Sequence, residues 1–468
     1  MVVFPKSWHG HASSPASHKP GAINRDLQPR DKLGILSFEA AATMSRLVSL
    51  HQSLSEAQIS KLRSDTMRSQ GVSYLNSKDQ AFLIRLACAE LMEELERAAD
   101  TISRFSLRCN GPTTSLSRGF TRVYANLKSG SADLGKLEHP KVKKMEKLIA
   151  ITAKLSAEME ALEELEASER KMEKWWGRLS GPIPKQPQMP VAHDEYRLEL
   201  KSQRQIVRRL KEESLWNESF DKAVTLMAKS ACAIFIRICT VFGPYVSGLP
   251  PVFHSMDRGR PLSRFRAKFS SGPIMEQRDI PMNIPTSSSC PIFGSTDLKS
   301  EMNWKKILEA APDTVGAAGL SLRYANVILT AERLLRMEAE GREDEMAAHR
   351  EEMYEMLPVA LRSIVRSKLR DWWRDPGPLD QSLAEGWKEA ADRIFAWLGP
   401  VARDTERWHN ERTMDRKSRY ETGPRALRLH TLHVSNKAKV EAAIAEVLVG
   451  LSCLCWYEER RQGSFRVF

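Results

Sequence analysis

The strongest helical pattern in this chain of 468 residues lies near its middle. Apolar residues recur at three- and four-residue steps from Leu148 to Trp176, and glutamates fill the positions between them. This spacing places the apolar side chains on one face of a long α-helix. A second helical pattern, broken near Ser214, follows and is expected to fold back against the first. We therefore predict a long helical hairpin over residues 141–242, with antiparallel coiled-coil packing.

The rest of the ordered chain is also predicted to be helical, because no alternating run of β-branched residues of useful length appears. Residues 32–111 are expected to form an N-terminal helical domain, with capping signals that place helix starts near residues 54 and 78. Residues 301–457 are expected to form a C-terminal helical domain that contains a polar, arginine-dense insert at 403–428. The predicted fold is all-α: a multi-helix N-terminal bundle, a long helical hairpin and a C-terminal helical domain joined by disordered linkers.

The remaining segments are assigned from composition and from their weak apolar periodicity. Residues 1–31 are predicted to be a disordered tail, because they are rich in Ser, Pro, His and Gly. Residues 112–140 are interpreted as a connecting segment, 243–300 as a Pro/Ser/Arg-rich linker and 458–468 as a tail. Boundaries between domains are therefore expected in the two internal segments, 112–140 and 243–300.

A run of small residues begins the C-terminal domain, within a helix predicted from Asp313 to Ile328. Gly316, Gly319 and Ala325 are expected to form a flat helix-packing face, where a second helix can approach closely. A phosphate-binding loop is not favoured, because the G-x-x-x-x-G-K-[ST] pattern is absent. The small residues therefore indicate packing rather than chemistry.

The net charge of +12 predicts attraction to an anionic partner, although a basic but merely soluble protein fits equally well. Two arginine-rich clusters are candidate contacts, and solvated linker charge is the alternative for both. The first cluster comprises Arg258, Arg260, Arg264, Arg266 and Lys268, and the second comprises Arg412, Arg416, Lys417, Arg419, Arg425 and Arg428.

No residues are predicted to be catalytic, to bind a cofactor or to bind a metal. The nucleophile elbow, the paired-carboxylate motif, H-E-x-x-H and the dinucleotide fingerprint are all absent, so an enzyme is not expected. His430 and His433 are interpreted as surface or capping residues rather than metal ligands. The seven cysteines, without a C-x-x-C pair, are typical of a reducing compartment, and Cys88, Cys232 and Cys239 are expected in cores.

The chain is also expected to lack a membrane span and a secretory signal. Its most apolar run, 231–242, is interrupted by Arg237 and is shorter than the ~20 residues that cross a bilayer. The N-terminal segment meets Pro5 at once and has no apolar core of sufficient length. Val2 replaces the glycine that N-myristoylation requires, so a lipid anchor is not expected.

Four blocks in the same order resemble one plant family: Gly34–Met44, Leu215–Phe220, Thr314–Ile328 and Leu429–His433. They are similar to the phytosulfokine (PSK) simulator family, with its paired N-terminal and C-terminal domains of unknown function. Relatives often carry a tryptophan- and glycine-rich stretch where this chain has its arginine-rich insert. We therefore expect the partner specificity of this chain to differ from that of these relatives.

The resemblance implies a non-enzymatic growth regulator in phytosulfokine peptide-hormone signalling, expected to act as a helical adaptor or scaffold for protein partners. The alternative is a basic protein that binds nucleic acid or an anionic membrane lipid directly. An intracellular location is expected, in the nucleus or cytoplasm or peripherally at the plasma membrane. Oligomeric state and partner identity stay open at this point.

Overall fold

The computed structural model of the protein describes residues 32–112, 115–130, 141–179, 191–250, 304–340, 343–374, 381–413 and 418–461. These ranges contain thirteen α-helices, numbered α1 to α13 below, and no β-strand. The predicted all-α fold is therefore confirmed. The predicted tail at 1–31 and residues 251–300 of the predicted linker lie outside the described residues.

The N-terminal bundle is built around one long buried helix, α3. It comprises α1 (Ser37–Ser53), α2 (Glu56–Ser64), α3 (Gln80–Ser106), α4 (Leu116–Lys128) and α7 (Phe220–Phe242). Leucine, alanine and cysteine side chains of α3 are buried on most sides, because α1, α4 and α7 all pack against it. Cys88, Cys232 and Cys239 lie in this core, as predicted.

The helix starts in this bundle differ slightly from the capping prediction. Ser53 still belongs to α1, so α2 begins two residues after the predicted start, with Ser55 as its N-cap. The Ser55 hydroxyl accepts a hydrogen bond from the Gln58 N–H at 3.4 Å. Similarly, Asp79 rather than Ser77 caps α3, by accepting from the Ala81 N–H at 2.9 Å.

The predicted connecting segment at 112–140 contains a core helix, α4. Phe120, Tyr124 and Leu127 are buried, and their four- and three-residue spacing forms the stripe that packs against α7. Polar residues surround this short stripe in the sequence, which explains why the segment reads as a connection. Residues 116–128 of the predicted connecting segment therefore form a helix of the N-terminal core.

The helical hairpin is shorter than predicted and consists of α5 (Val142–Leu179) and α6 (Val191–Glu213). The pair is antiparallel, since Gln203 donates to the Glu158 carbonyl at 3.0 Å and Tyr196 donates to the Leu165 carbonyl. The chain breaks at Ser214, as predicted. Coiled-coil packing of the pair stays a prediction.

The predicted hairpin includes the residues of helix α7, but α7 packs in the N-terminal core instead. Within the described residues it is the one helix long and apolar enough to cross a membrane, which differs from the sequence expectation. However, 67% of its most apolar window is buried inside the protein. Its contacts with α1, α3 and α4 are those of a core helix, because an apolar helix must bury its whole circumference.

The C-terminal domain packs five helices around a second core. They are α9 (Ser321–Glu340), α10 (Glu343–Met356), α11 (Val359–Arg374), α12 (Gln381–Arg412) and α13 (Lys437–Arg461). The short helix α8 (Trp304–Leu308) precedes them and packs against the N-terminal core. Helix α12 lies at the centre of this domain and contacts both α9 and α13. The predicted polar insert at 403–428 is therefore partly helical, because α12 continues to Arg412.

The two cores are in contact. Leu308 and Leu429 from the C-terminal half are buried in the N-terminal core, and Leu75 is buried in the C-terminal core. Short helical turns at 428–434 lie between the two, and they pack against α3 and α12. This junction is where the most unusual side-chain arrangement of the molecule lies.

Candidate functional site

A group of charged side chains around two buried glutamates joins helix α3 to the end of α12 and to the segment that follows it. We call it the arginine–glutamate cluster. It comprises Glu90, Glu93, Glu94, Arg46, Arg97, Arg412, Arg425 and Arg428.

Glu90 is the centre of this cluster and is only 1% exposed. Its Oε1 accepts from the Trp408 indole N–H at 2.8 Å and from the Arg412 guanidinium. Its Oε2 accepts from the backbone N–H of Arg428 at 2.6 Å. Both carboxylate oxygens are thus satisfied by groups more than 300 residues away in the sequence.

Glu94 lies one turn further along α3 and is 3% exposed. Arg97 contacts it at 2.9 Å, Arg46 at 3.2 Å and Arg425 at 3.4 Å. Burial raises the pKa of the Glu94 carboxyl, but Arg412, Arg425, Arg46 and Arg97 outweigh burial and hold this pKa below its usual value. The carboxylate is therefore ionised at neutral pH.

Trp408 carries cations on its ring as well as a hydrogen bond on its indole nitrogen. The guanidinium carbons of Arg412 and Arg428 lie 4.4 and 5.3 Å from the ring centroid, and the His433 ring lies 5.0 Å away. Burial first, and then the charges of Arg428 and Arg412, lowers the pKa of His433 to about 4. His433 is consequently neutral at physiological pH.

The arrangement is structural in character, because each carboxylate is occupied by protein cations and none faces an open cavity large enough for a substrate. The adjoining cavity, which Glu90, Glu94, Arg412 and Arg425 line, measures only about 10 Å³. The prediction that Arg412, Arg425 and Arg428 face an anionic partner is therefore wrong. Arg412 and Arg425 pair with the buried Glu90 and Glu94 of the same chain, and the Arg428 guanidinium lies 3.7 Å from the Glu93 carboxylate.

Sequence reasoning missed this cluster, although one signal was present. Glu90 and Glu94 fall on the same stripe of α3 as Leu83 and Leu86, where an apolar residue is expected. A glutamate on a buried stripe needs a cation, since an unpaired buried carboxylate is costly. The sequence could have predicted that cations were required, but not which arginines supply them.

Of the other basic residues predicted to contact an anionic partner, the structure describes only Arg419. Arg419 is exposed and lies 5.9 Å from the Tyr420 ring. The remaining ones lie outside the described residues, so their role stays a prediction: Arg258, Arg260, Arg264, Arg266, Lys268, Arg416 and Lys417.

The three residues of the predicted helix-packing face, Gly316, Gly319 and Ala325, do not lie on one helix. Helix α9 begins only at Ser321, and residues 314–320 form a turn. Gly319 is exposed, has a φ of 68° and would find no atom within 4 Å of an added Cβ, so its predicted role in packing is wrong. Gly316 is in tight contact, but with backbone: an added Cβ would lie 2.2 Å from the His433 carbonyl oxygen. Ala325 alone is buried within a helix, in the C-terminal core.

Neither histidine of the sequence pair is placed for metal binding. His430 pairs with Asp404, and His433 packs against Trp408. Across the part of the chain that the structure describes, no group of three or more His, Cys, Asp or Glu side chains could hold a metal ion. Burial raises the pKa of the Cys232 and Cys239 thiols to about 12, so neither is a ready nucleophile at neutral pH.

A second surface feature is a groove in the C-terminal domain, between α9, α10, α11 and α13. We call it the arginine-rimmed groove. Its floor is apolar and includes Leu334, Met353, Leu357, Leu369, Leu448 and Leu451. Arg350, Arg362 and Arg366 also line it, and it encloses about 140 Å³. Sequence reasoning missed it, although the four-residue spacing of arginines in α11 was a visible signal.

The comparisons with known proteins define the class of this molecule. Residues 35–91 match a domain of unknown function, DUF3475, and residues 314–407 match a protein family of unknown function, DUF668. The chain is thus an all-helical protein that combines these two domains. Glu90 lies at the end of the first match and Trp408 directly follows the second, so the arginine–glutamate cluster joins the two domains.

Three proteins of Arabidopsis thaliana are similar to most of this chain. Protein PSK SIMULATOR 1 is 28% identical over 433 residues, which are 90% of this chain and 55% of that protein. Protein PSK SIMULATOR 3 is 25% identical over 91% of this chain and 56% of its own length, and Protein PSK SIMULATOR 2 is 24% identical over 92% and 61%. The predicted resemblance to the PSK simulator family is confirmed. The chain spans 55–61% of the length of these relatives, and no solved structure matches it.

Proposed function

We propose that the protein is a non-enzymatic growth regulator in phytosulfokine-related signalling and that it acts as a helical adaptor. The similarity to three PSK SIMULATOR proteins over about nine tenths of the chain supports the growth-signalling part. The observation that carries the adaptor part is the arginine-rimmed groove, which is open to solvent and has an apolar floor. Grooves of this kind accept the apolar face of a partner helix.

The arginine–glutamate cluster suits the same role, because a binding groove is most selective on a rigid support. Helix α12 carries Trp408 and Arg412 of the cluster and packs against α9 and α13, which supply two walls of the groove. The cluster thereby fixes the groove relative to the N-terminal bundle. We place this adaptor inside the cell, in the nucleus or cytoplasm or peripherally at the plasma membrane.

Growth of Arabidopsis plants that lack the three PSK SIMULATOR proteins tests this proposal. Expression of this chain is expected to change root growth in the presence of added phytosulfokine, relative to an empty vector. A chain with the groove filled by Leu451→Trp is expected to be less active, whereas Arg393→Glu, on the exposed side of α12, serves as the matched control. Equal growth with the unaltered chain and with the empty vector would argue against a role in growth signalling.

Direct binding to anionic lipid is the second candidate, and one cleft favours it. Lys141, Lys144, Lys222 and Lys229 line a cleft of about 330 Å³ between α5 and α7, in which Asp221 is the single acidic residue. Clustered lysines attract phosphate-bearing surfaces, and the attraction weakens with salt. Sedimentation with phosphatidylserine vesicles, but not with phosphatidylcholine vesicles, and its loss in Lys141→Glu/Lys144→Glu would support this candidate.

A further inference from the structure

We propose that the arginine-rimmed groove binds an acidic amphipathic helix of a partner protein. One apolar side chain of that helix would fill the groove, and its carboxylates would pair with Arg362, Arg366 and Arg370 of α11. This inference rests on the proposed adaptor function and names the chemistry of the partner.

The size of the groove is suited to one anchoring side chain. Its volume of about 140 Å³ is close to the ~150 Å³ of an apolar cavity that accommodates a benzene molecule. Leu334, Leu448 and Leu451 contribute to an apolar floor that has no charge to solvate a polar group. A phenylalanine or leucine side chain therefore matches the site in both volume and polarity.

The charge of the groove favours an acidic partner. Three arginines line it, and none of its lining residues is acidic. Helix α10 does carry glutamates at 351, 352 and 355, which are exposed. At 100° per residue they lie about 100–200° around the helix from Arg350, and hence away from the groove. Carboxylates are the groups that guanidinium forks bind best, through paired hydrogen bonds.

Arg362 and Arg366 are held in place by hydrogen bonds but are not neutralised. Arg362 donates to the carbonyl oxygens of Leu357 at 2.9 Å and Glu355 at 3.1 Å, and it lies 5.0 Å from the Tyr354 ring. Arg366 donates to the Tyr354 hydroxyl. Within the described part of the chain, neither these two arginines nor Arg370 forms an ion pair with a carboxylate.

The extent of the basic row favours a helix over a small anion. Arg362, Arg366 and Arg370 follow one another at four-residue steps, so the row extends over about 12 Å along α11. Trp373, which is 46% exposed, lies one turn beyond Arg370 and adds apolar surface at the end of the row. A small carboxylate would reach one or two of these residues. A helix with glutamates at four-residue steps would match all three, since the rise per step is the same on both helices.

The test is selection of peptides from a displayed library of helical 15-residue sequences, with the full chain as the target. We expect the selected peptides to carry Asp or Glu at three- and four-residue steps beside a Phe or Leu. Their affinity should fall by about tenfold or more for Arg366→Glu/Arg370→Glu, and also for Leu451→Trp. The variant Arg393→Glu, which changes the same charge on α12 away from the groove, should bind like the parent.

Three results would overturn the inference: selected peptides without acidic residues, equal binding to the parent and to Arg366→Glu/Arg370→Glu, or a selection that enriches no peptide. Each is distinct from failure of the proposed function. A chain that restores growth but enriches no acidic helix would remain a growth regulator, with a partner of different chemistry.

Discussion

At Gly319, one backbone dihedral angle decides the effect of a substitution. Its φ of 68° lies in the left-handed region, where an L side chain costs ~1–2 kcal/mol, although the surrounding space is open. We expect Gly319→Leu to lower the free energy of unfolding by about 1 kcal/mol, through strain rather than overpacking. Gly319→Asn should cost less, because asparagine tolerates this region. Urea unfolding followed by circular dichroism measures both.

Gly386 supplies the control for this prediction. It lies within α12 and would also find no atom near an added Cβ, but its φ is not positive. Gly386→Ala should therefore raise the free energy of unfolding by ~0.5–1 kcal/mol, because alanine has the higher helix propensity. A Gly319→Leu variant more stable than the parent would show that the strain argument is wrong.

His433 predicts a pH dependence of stability. Its pKa is about 4 in the folded protein, against an ordinary value of 6.5, so the unfolded chain binds more protons between these two pH values. The stabilising contribution is complete above pH 6.5 and decreases as the pH falls towards 4. We expect a loss of roughly 1–2 kcal/mol, a figure reduced for solvent screening because the side chain is only partly buried.

The measurement is urea unfolding at several pH values between 4 and 7, for the parent and for His433→Gln. Glutamine does not titrate, so the variant should show a flatter dependence over this window. Arg428 and Arg412 face His433, and their positive charges disfavour protonation of its ring in the folded protein. Parallel curves for the two proteins would exclude His433 as the origin of the pH dependence.

At the scale of the element, the pairing of α3 with the segment after α12 depends on Glu90. Glu90→Gln would leave the guanidinium of Arg412 without its closest carboxylate in a buried site. Breaking a buried pair in this way costs ~3–5 kcal/mol. Glu39→Gln is the matched control, because Glu39 pairs with Arg104 at the surface and its loss should cost less than ~1 kcal/mol. Similar losses of unfolding free energy in the two variants would contradict a special role for the cluster.

The elements differ in how far the sequence could predict them. The hairpin helices were predictable from local periodicity, because each needs only one apolar face. The helix α4 was not, since Phe120, Tyr124 and Leu127 form a stripe of little more than two turns among polar residues. The turn before α9 was also missed, because glycine and alanine fit a close helix contact and a left-handed turn equally well. Pairing of Glu90 with Arg428 spans 338 residues, and no local pattern specifies it.

At the scale of the whole molecule, the two matched domains share their contacts too closely to be independent units. Leu308 and Leu429 are buried in the N-terminal core, and α8 packs against α3. The Asn436 N–H donates to the Leu75 carbonyl at 2.9 Å, and the Asn76 amide donates to the Leu429 carbonyl at 2.6 Å. A C-terminal fragment alone would therefore expose apolar surface and leave Arg412, Arg425 and Arg428 without their carboxylate partners.

This predicts the behaviour of a chain cut between the domains. A protease site inserted between residues 251 and 303 should yield two fragments that stay together in size-exclusion chromatography and unfold in one calorimetric transition. The fragments should separate only in denaturant, together with loss of helical signal, because each completes the core of the other. In the Glu90→Gln background the same cut chain should dissociate at a lower urea concentration, whereas Glu39→Gln should leave dissociation unchanged. Two folded fragments that separate in buffer alone would show that the shared contacts are weak and that the domains are autonomous.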